Sequence, residues 1–369
     1  MENKICVYAI CKNEIAFVDK WLDSMSESDY IVVLDTGSTD GTFEKLYNDT
    51  RVDIVIQKNY SNWRFDTARN DALALCPTDT TIFVSTDLDE IFESGWAEIL
   101  RVNWNNSHVR GLYKYVWSHN ESGDPERIFY YDKIHGKDWY WKAPVHEYLA
   151  SDKYQDQTWI NEHSLDLFDK ITLHHYPDKT KSRASYLPLL GLRIQEDPND
   201  YNGLFYYSHE LYYRGYYEKS IAILDTILTD KKFDNKRTTL EKAACYLFMG
   251  DSYKALNKNS AAISAYHNAI AIDPTYREPY LELAQLYQDM KYFNMAIGTV
   301  EEALLKSVRH YNWLERDTSW AEQPYDILAV SSYYIGDYKE SYLNASIASQ
   351  FNPTDERLKN NIEFARRKL

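Results

Sequence analysis

Long apolar runs, basic clusters and closely paired cysteines are scarce in this 369-residue sequence, and each shortage removes a class of protein. No apolar stretch approaches the roughly 20 residues that a membrane-spanning helix needs. Ile5 to Ile10 is too short and too poorly flanked to serve as a signal peptide. No Lys/Arg-rich run is present and the formal net charge is −15, which disfavours a nucleic-acid partner because phosphate binding needs a basic footprint. The four cysteines (Cys6, Cys11, Cys76, Cys245) form neither a zinc pattern nor a secreted disulfide framework, so a reducing, cytoplasmic setting is expected. Only 12 glycines and 10 prolines are spread along the chain, and with 44% hydrophobic and 26% charged residues the composition suits a folded protein rather than a disordered one. The length argues for two domains, since single cores stop growing below it. The 33 tyrosines are in excess, but many fall at helical spacing after residue 200, where amphipathic packing explains them better than a sugar-binding surface.

The first half alternates β-rich runs with helical patterns. Ile5 to Ile10 reads as a buried strand, Ala16 to Met25 as a helix, Tyr30 to Leu34 as a strand, and Thr42 to Tyr47 as the start of a helix. Asp53 to Ile56, a helix near Asp66 to Leu75, and Thr81 to Val84 continue the series, followed by aromatic strands at Gly111 to Trp117 and Arg127 to Tyr131. Such alternation predicts an α/β domain over 1–195 with a mostly parallel, mixed sheet, whose ligands sit beyond the carboxyl ends of the strands. From about residue 200 the pattern is purely helical and repeats at a 34-residue offset. Tyr246, Gly250, Tyr253, Ala262, Tyr266, Ala269 and Pro274 are followed in phase by Tyr280, Ala284, Tyr287, Ala296, Val300 and Ala303. Tyr325, Leu328, Ala329, Ser341, Ala345, Ala348 and Pro353 form a further unit, and Tyr207, Ser208, Leu211, Ser220 and Leu224 a weaker one. This is the tetratricopeptide pattern, so 196–369 is expected to be an all-α solenoid of three to four repeats, interrupted near 308–323.

Candidate chemistry concentrates in the first half. Thr81-Ile-Phe-Val-Ser-Thr-Asp87-Leu-Asp89-Glu90 ends a β-rich run on two carboxylates, which suits a divalent cation bridging to diphosphate. Taken alone it is equally an acidic loop capping a helix at Ser94 to Leu100. Leu34-Asp35-Thr36-Gly37-Ser38-Thr39-Asp40 leaves a strand and enters a helix, and Asp35 is placed to accept a hydrogen bond from a base, or else simply to shape a capped turn. Trp63 to Asn70 opens a further helix carrying Arg69, which can meet a diphosphate or stand exposed.

The order and spacing of these segments resemble family 2 glycosyltransferases of the GT-A fold, over roughly residues 4–195. Cys11-Lys12-Asn13-Glu14 looks like their first nucleotide-contacting turn, Asp35 like the uracil-side aspartate, Arg69-Asn70 like the element before the metal site, and Asp87-Leu88-Asp89 like the metal motif. Fusion to tetratricopeptide repeats is similar to the layout of bacterial enzymes that attach sugars to peptide cysteines. The resemblance implies a nucleoside-diphosphate-sugar donor, UDP-sugar favoured, Mn2+ or Mg2+, inversion at the anomeric carbon, and a peptide, protein or glycan acceptor. It also implies a late histidine in the metal shell, supplied by His174 or His175. Adjacent residues of a strand face opposite ways, so at most one of the two can serve. In Trp139-Tyr-Trp141-Lys-Ala-Pro-Val-His146-Glu147 an acid and an imidazole follow aromatic rings, so Glu147 is the first choice of general base and His146 the second, with Trp141 beside the acceptor. Arg127 is a candidate for acceptor or phosphate, or for a strand-edge ion pair. Two other readings stand: a repeat scaffold whose α/β domain has lost catalysis, and a nucleotidyltransferase, against which Cys11 to Glu14 lacks a glycine-rich phosphate loop. The repeats are expected to recruit the acceptor or a partner, or to form a homodimer.

Overall fold

The computed structural model describes residues 3–120, 123–178, 181 and 184–369. The chain divides into two compact units, Met1–Arg193 and Ile194–Leu369. In the first unit, β1 (Ile5–Cys11), α1 (Val18–Met25), β2 (Tyr30–Asp35), α2 (Thr42–Tyr47), β3 (Ile54–Gln57), α3 (Phe65–Leu73) and β4 (Ile82–Thr86) come in turn. There follow β5 (Glu90–Phe92), α4 (Trp96–Asn103), β6 (Arg110–His119), β7 (Pro125–His135), β8 (Tyr140–Lys142), β9 (Tyr148–Ala150), α5 (Gln157–Glu162), β10 (Ser164–His175) and α6 (Tyr186–Glu196). The main sheet has the order β3-β2-β1-β4-β7-β6-β10-β5, and β8 pairs with β9 in a separate ribbon. The strands β3, β2, β1 and β4 are parallel, β7 is antiparallel to both neighbours, and β5 pairs antiparallel with β10.

Period-two alternation in β1 builds both layers of the core. Ile5, Val7 and Ala9 pack with Trp21, Leu22 and Trp96 of α1 and α4, while Cys6, Tyr8 and Ile10 pack with Ala68 and Ala72 of α3 and with Trp139 and Trp141. Both faces are covered, so β1 reads as an unbroken apolar run, as buried parallel strands do. The four cysteines are free.

The second unit is built of hairpins: α7 (Tyr201–Tyr213) with α8 (Tyr217–Thr229), α9 (Thr239–Ala255) with α10 (Asn259–Ile272), α11 (Glu278–Asp289) with α12 (Phe293–Leu304), and α13 (Glu322–Ile335) with α14 (Tyr338–Phe351). A last helix, α15 (Glu356–Arg366), follows. Each hairpin turns on one left-handed residue, Gly215, Asn257, Lys291 or Gly336. A capping box starts α9, where Thr238 Oγ1 accepts from the Glu241 amide and Glu241 Oε2 accepts from the Thr238 amide. Ala262, Tyr266, Ala269, Ala284, Ala296, Val300 and Ala303 are buried, as the repeat phase predicts. Gly250 lies close against its neighbour helix, where a Cβ would stand 2.4 Å from the Tyr266 ring. Gly250→Ala is therefore expected to cost the repeat unit about 1–3 kcal/mol by overpacking, read as an earlier transition in a urea melt; an unchanged midpoint would mean the ring moves aside without cost.

Among the described residues no helix is long and apolar enough to cross a membrane.

Candidate functional site

Because β1 is flanked by β2 on one side and β4 on the other, the sheet grows in opposite directions from it, and ligands of such sheets bind beyond the carboxyl ends of these strands. The turn after β1 and the turn after β2 are laced together there. The Thr36 amide donates to the Cys11 carbonyl (2.8 Å), the Asn13 amide to Ser38 Oγ (2.8 Å), the Thr39 amide to Asn13 Oδ1 (2.7 Å) and the Glu14 amide to Thr42 Oγ1 (2.8 Å). Asn13 adopts a left-handed φ of 55° and stays exposed, whereas the Cys11 thiol is buried 3.5 Å from Asp35 Oδ2. Asp35 is tied into this loop. Its carboxylate is fully buried, and Oδ1 already accepts from the Gly37 and Ser38 amides and from Gln57 Nε2, so it shapes the loop instead of presenting an open oxygen to a base. Burial alone would raise its pKa, but these donors carry it below the ordinary value. Gly37 takes φ +102°, a left-handed conformation that strains any residue with a Cβ.

Beyond β4 the chain passes through Asp87 and Asp89 into β5, and the pairing of β5 with β10 sets His175 opposite Glu90. The Tyr176 amide donates to the Asp89 carbonyl at 2.8 Å, and His175 Nε2 lies 3.5 Å from Asp89 Oδ2. His175 Nδ1 donates to the Trp117 carbonyl (3.1 Å), which leaves Nε2 turned toward Asp89. Burial lowers the His175 pKa, but the Asp89 carboxylate outweighs it and the net shift is upward. His174 faces the other way, with Nδ1 2.9 Å from His119 Nε2 and Nε2 3.0 Å from Glu93 Oε1. Strand alternation thus gives Asp89 one histidine of the pair.

Asp87 is tied elsewhere. Arg69 Nη2 donates to its two oxygens (2.8 and 3.1 Å), and Lys133 Nζ lies 3.3 Å from Oδ2. Burial opposes ionisation, yet these two cations hold Asp87 well below the usual carboxylate range. Arg69 is only 4% exposed, and its remaining donors are taken by Glu147 Oε1 (Nε, 2.5 Å) and Ser85 Oγ (Nη1, 3.2 Å), with the Trp141 ring 5.2 Å away. It therefore stands as a buried bridge between Asp87 and Glu147, and not as the exposed helical arginine that was one of its two expected readings. Asn70 explains the other half of the Arg-Asn element: its amide pairs with both the N–H and C=O of Trp141 at 2.8 Å, pinning β8. Trp141 is itself 3% exposed, its Nε1 donating to Tyr8 Oη, so it underlies the site and offers no open ring to an acceptor.

Glu147 and His146 lie in the turn between β8 and β9. Two non-glycine residues there take positive φ, Ala143 at 88° and His146 at 49°. External bonds hold the turn: the Phe65 amide donates to the Pro144 carbonyl, and Arg193 Nη1 to the carbonyls of Val145 (3.0 Å) and His146 (2.8 Å). His146 is exposed with its ring against Tyr186, while the Glu147 carboxylate is nearly buried against Arg69. Arg127 is half-buried in β7, opposite Ser118.

Sequence reasoning missed Lys133, Glu90 and Tyr115. Glu90 accepts from the Asp87 amide (2.9 Å) and from Tyr115 Oη (2.8 Å), with Lys133 Nζ 3.7 Å away, and burial raises its pKa. Glu90 was visible as the residue after the D-x-D; nothing in Tyr130-Tyr-Asp-Lys133 marks that lysine as buried.

Asp89 Oδ2 and His175 Nε2 converge with the imidazole tautomer set by Trp117, so these are the two residues that could hold a divalent cation. Among the described residues no group of three or more His, Cys, Asp or Glu side chains converges, so such a cation would draw its other ligands from diphosphate and water.

Residues 250–291 match the family model of the TPR (tetratricopeptide) repeat, and the C-terminal region contains such repeats. No curated protein matches the chain. Among solved structures, the chain is similar in part to the MamA protein (20% identity, 46% of this chain and 83% of that one, TM-score 0.34). It is likewise similar to a thermophilic TPR protein of Thermus thermophilus (16%, 49% and 88%, 0.37) and to YrrB, described as a TPR protein with an unusual peptide-binding site (12%, 48% and 82%, 0.37).

Proposed function

We propose that the first unit is a GT-A-type, family 2-like glycosyltransferase that moves a sugar from a nucleoside-diphosphate donor, UDP-sugar favoured, to a peptide, protein or glycan nucleophile. In this reading the repeats recruit the acceptor, bind a partner or join two copies. The observation that carries it is that the Asp89–His175 pair after β4 and a carboxylate in a fixed turn (Glu147) are brought to one switch point of the sheet, Glu147 being linked to Asp87 through Arg69. Mn2+ or Mg2+ bound there would neutralise charge on the departing diphosphate. Asp89 and His175 would hold it. Asn13 and the exposed rim of the turn after β2 face the nucleotide. Glu147 takes the proton of the acceptor, and Arg69 fixes that carboxylate relative to Asp87. Inversion is carried by the family resemblance.

A panel of nucleoside diphosphates and their sugars, with Mn2+ or Mg2+, tests the reading. At 100 times Kd a matching ligand should stabilise the chain by about 2.7 kcal/mol and the sugar donor should release nucleoside diphosphate. Asp89→Ala should abolish the metal-dependent part of both. Undiminished metal-dependent turnover in that variant would overturn the assignment, and pyrophosphate as product would mark a nucleotidyltransferase. The second reading, a non-catalytic scaffold, is favoured by the TPR match and expects neither stabilisation nor release.

A further inference from the structure

Residues 305–321, between α12 and α13, do more than interrupt the repeat: they run across the first helices of three successive hairpins. The Trp313 ring meets Phe205, Tyr206 and His209 of α7 at centroid distances of 5.6, 5.3 and 5.4 Å. The Leu314 carbonyl accepts from Tyr276 Oη at 3.0 Å. Arg316 makes the densest set of contacts. Its Nη1 donates to Glu282 Oε1 of α11 (2.6 Å), its Nη2 pairs with Asp251 of α9, its amide donates to Glu278 Oε1 (3.0 Å), and its guanidinium lies 5.7 Å from the Phe248 ring. Arg277 clasps the segment by donating to the carbonyls of Lys306 and Ser319.

The other hairpins connect through shorter links, so this segment is longer than the repeat requires, although its Leu314 joins the core of the unit. What the segment reveals is the chemistry of the face beneath it. Asp251 and Glu282 stand on adjacent first helices and are buried or nearly so, and two carboxylates in that setting require a cation that reaches both. A guanidinium does so with two hydrogen bonds at once. Three residues earlier the Trp313 ring, 38% exposed, lies against three aromatic side chains of α7. Beside Arg316 the same face continues as an open cavity of about 420 Å³, lined by Tyr212, Tyr213, Phe248, Lys254 and the two carboxylates.

We propose that this face is a docking surface for an extended polypeptide segment carrying an aromatic residue three positions before an arginine, and that residues 308–321 occupy it as an internal competitor which such a partner displaces. The proposal is independent of the sugar-transfer reading, since every residue it uses lies in the repeat unit.

The probe is a fluorescent synthetic peptide copying residues 308–320, added to the full chain and followed by anisotropy. The Trp313→Ala/Arg316→Ala double variant, whose own segment has lost its anchors, should bind it at least tenfold more tightly than the unaltered chain. A peptide with glutamate in place of the arginine should fail to bind. Equal affinity of variant and unaltered chain, or equal affinity for the two peptides, overturns the proposal. Because loss of both anchors can unfold the repeats, hydrogen exchange is also measured on the unaltered chain with excess peptide. The amides of 308–321 should then exchange several-fold faster while those of α9 and α11 are unchanged or slower; no acceleration in that segment rejects the displacement.

Discussion

Arg69→Met should destabilise the first unit by about 3–5 kcal/mol, the range for removing one member of a buried ion pair. The guanidinium bridges Asp87 and Glu147 and also donates to Ser85. Methionine fills much of the same volume but leaves Glu147 without that partner and Asp87 with Lys133 alone, 3.3 Å from one oxygen. Arg69→Lys should recover only part of the loss, because one ammonium cannot span both carboxylates in a planar fork. The sign of the pH dependence follows from Asp87. Its folded pKa lies below the ordinary 3.8, so its contribution is complete above that value and disappears as the pH falls through the folded value. The gap between Arg69→Met and the parent protein should therefore persist at pH 5 and narrow only in stronger acid. Urea melts at both pH values decide the matter: a cost under about 1 kcal/mol at pH 5 would make the bridge no better than a surface pair.

Glu147→Gln should lower the rate of sugar transfer by about 10²–10⁴, the usual worth of a positioned general base, while metal-dependent binding of the nucleotide stays intact. Glutamine keeps the shape of the side chain and an oxygen for Arg69 Nε, so the turn should hold. His146→Ala should cost less than about tenfold if the exposed imidazole only borders the site. The reverse ranking would transfer the role to His146. Loss of nucleotide binding in Glu147→Gln would instead show that the carboxylate maintains the donor side through Arg69 and Asp87. The comparison separates chemistry from architecture because KM and kcat respond differently to the two roles.

The alternation of strands and helices was legible from hydrophobic period alone, and so was the register of the repeats, since Ala262, Tyr266 and Ala269 recur in phase. The carboxylates after β4 were legible as well, because a strand's end is where such chemistry is presented. Partnership over long sequence separation was not. Arg69 and Glu147 are 78 residues apart, and the pattern of α3 marks an inward face without saying what stands opposite. Trp141 illustrates the same limit: an aromatic run can pave a surface or pin a core, and only Asn70 and Tyr8, far away in the chain, decide for the core. The interruption after residue 304 was visible as a broken period, while its path over α7, α9 and α11 depends on Trp313 and Arg316 finding partners far upstream.

The strand β10 has a consequence for how the molecule comes into being on the ribosome. It joins β6, formed some fifty residues earlier, and β5, formed about eighty residues earlier, so Asp89 meets His175 only after residue 175 has left the exit tunnel. The turn carrying Glu147 waits longer still, for Arg193. A nascent chain therefore carries an open-edged half-sheet through most of the synthesis of its first unit, a stage at which unpaired strands are exposed to wrong partners. The helical hairpins that follow pair with close neighbours in sequence, and each can close as soon as it emerges.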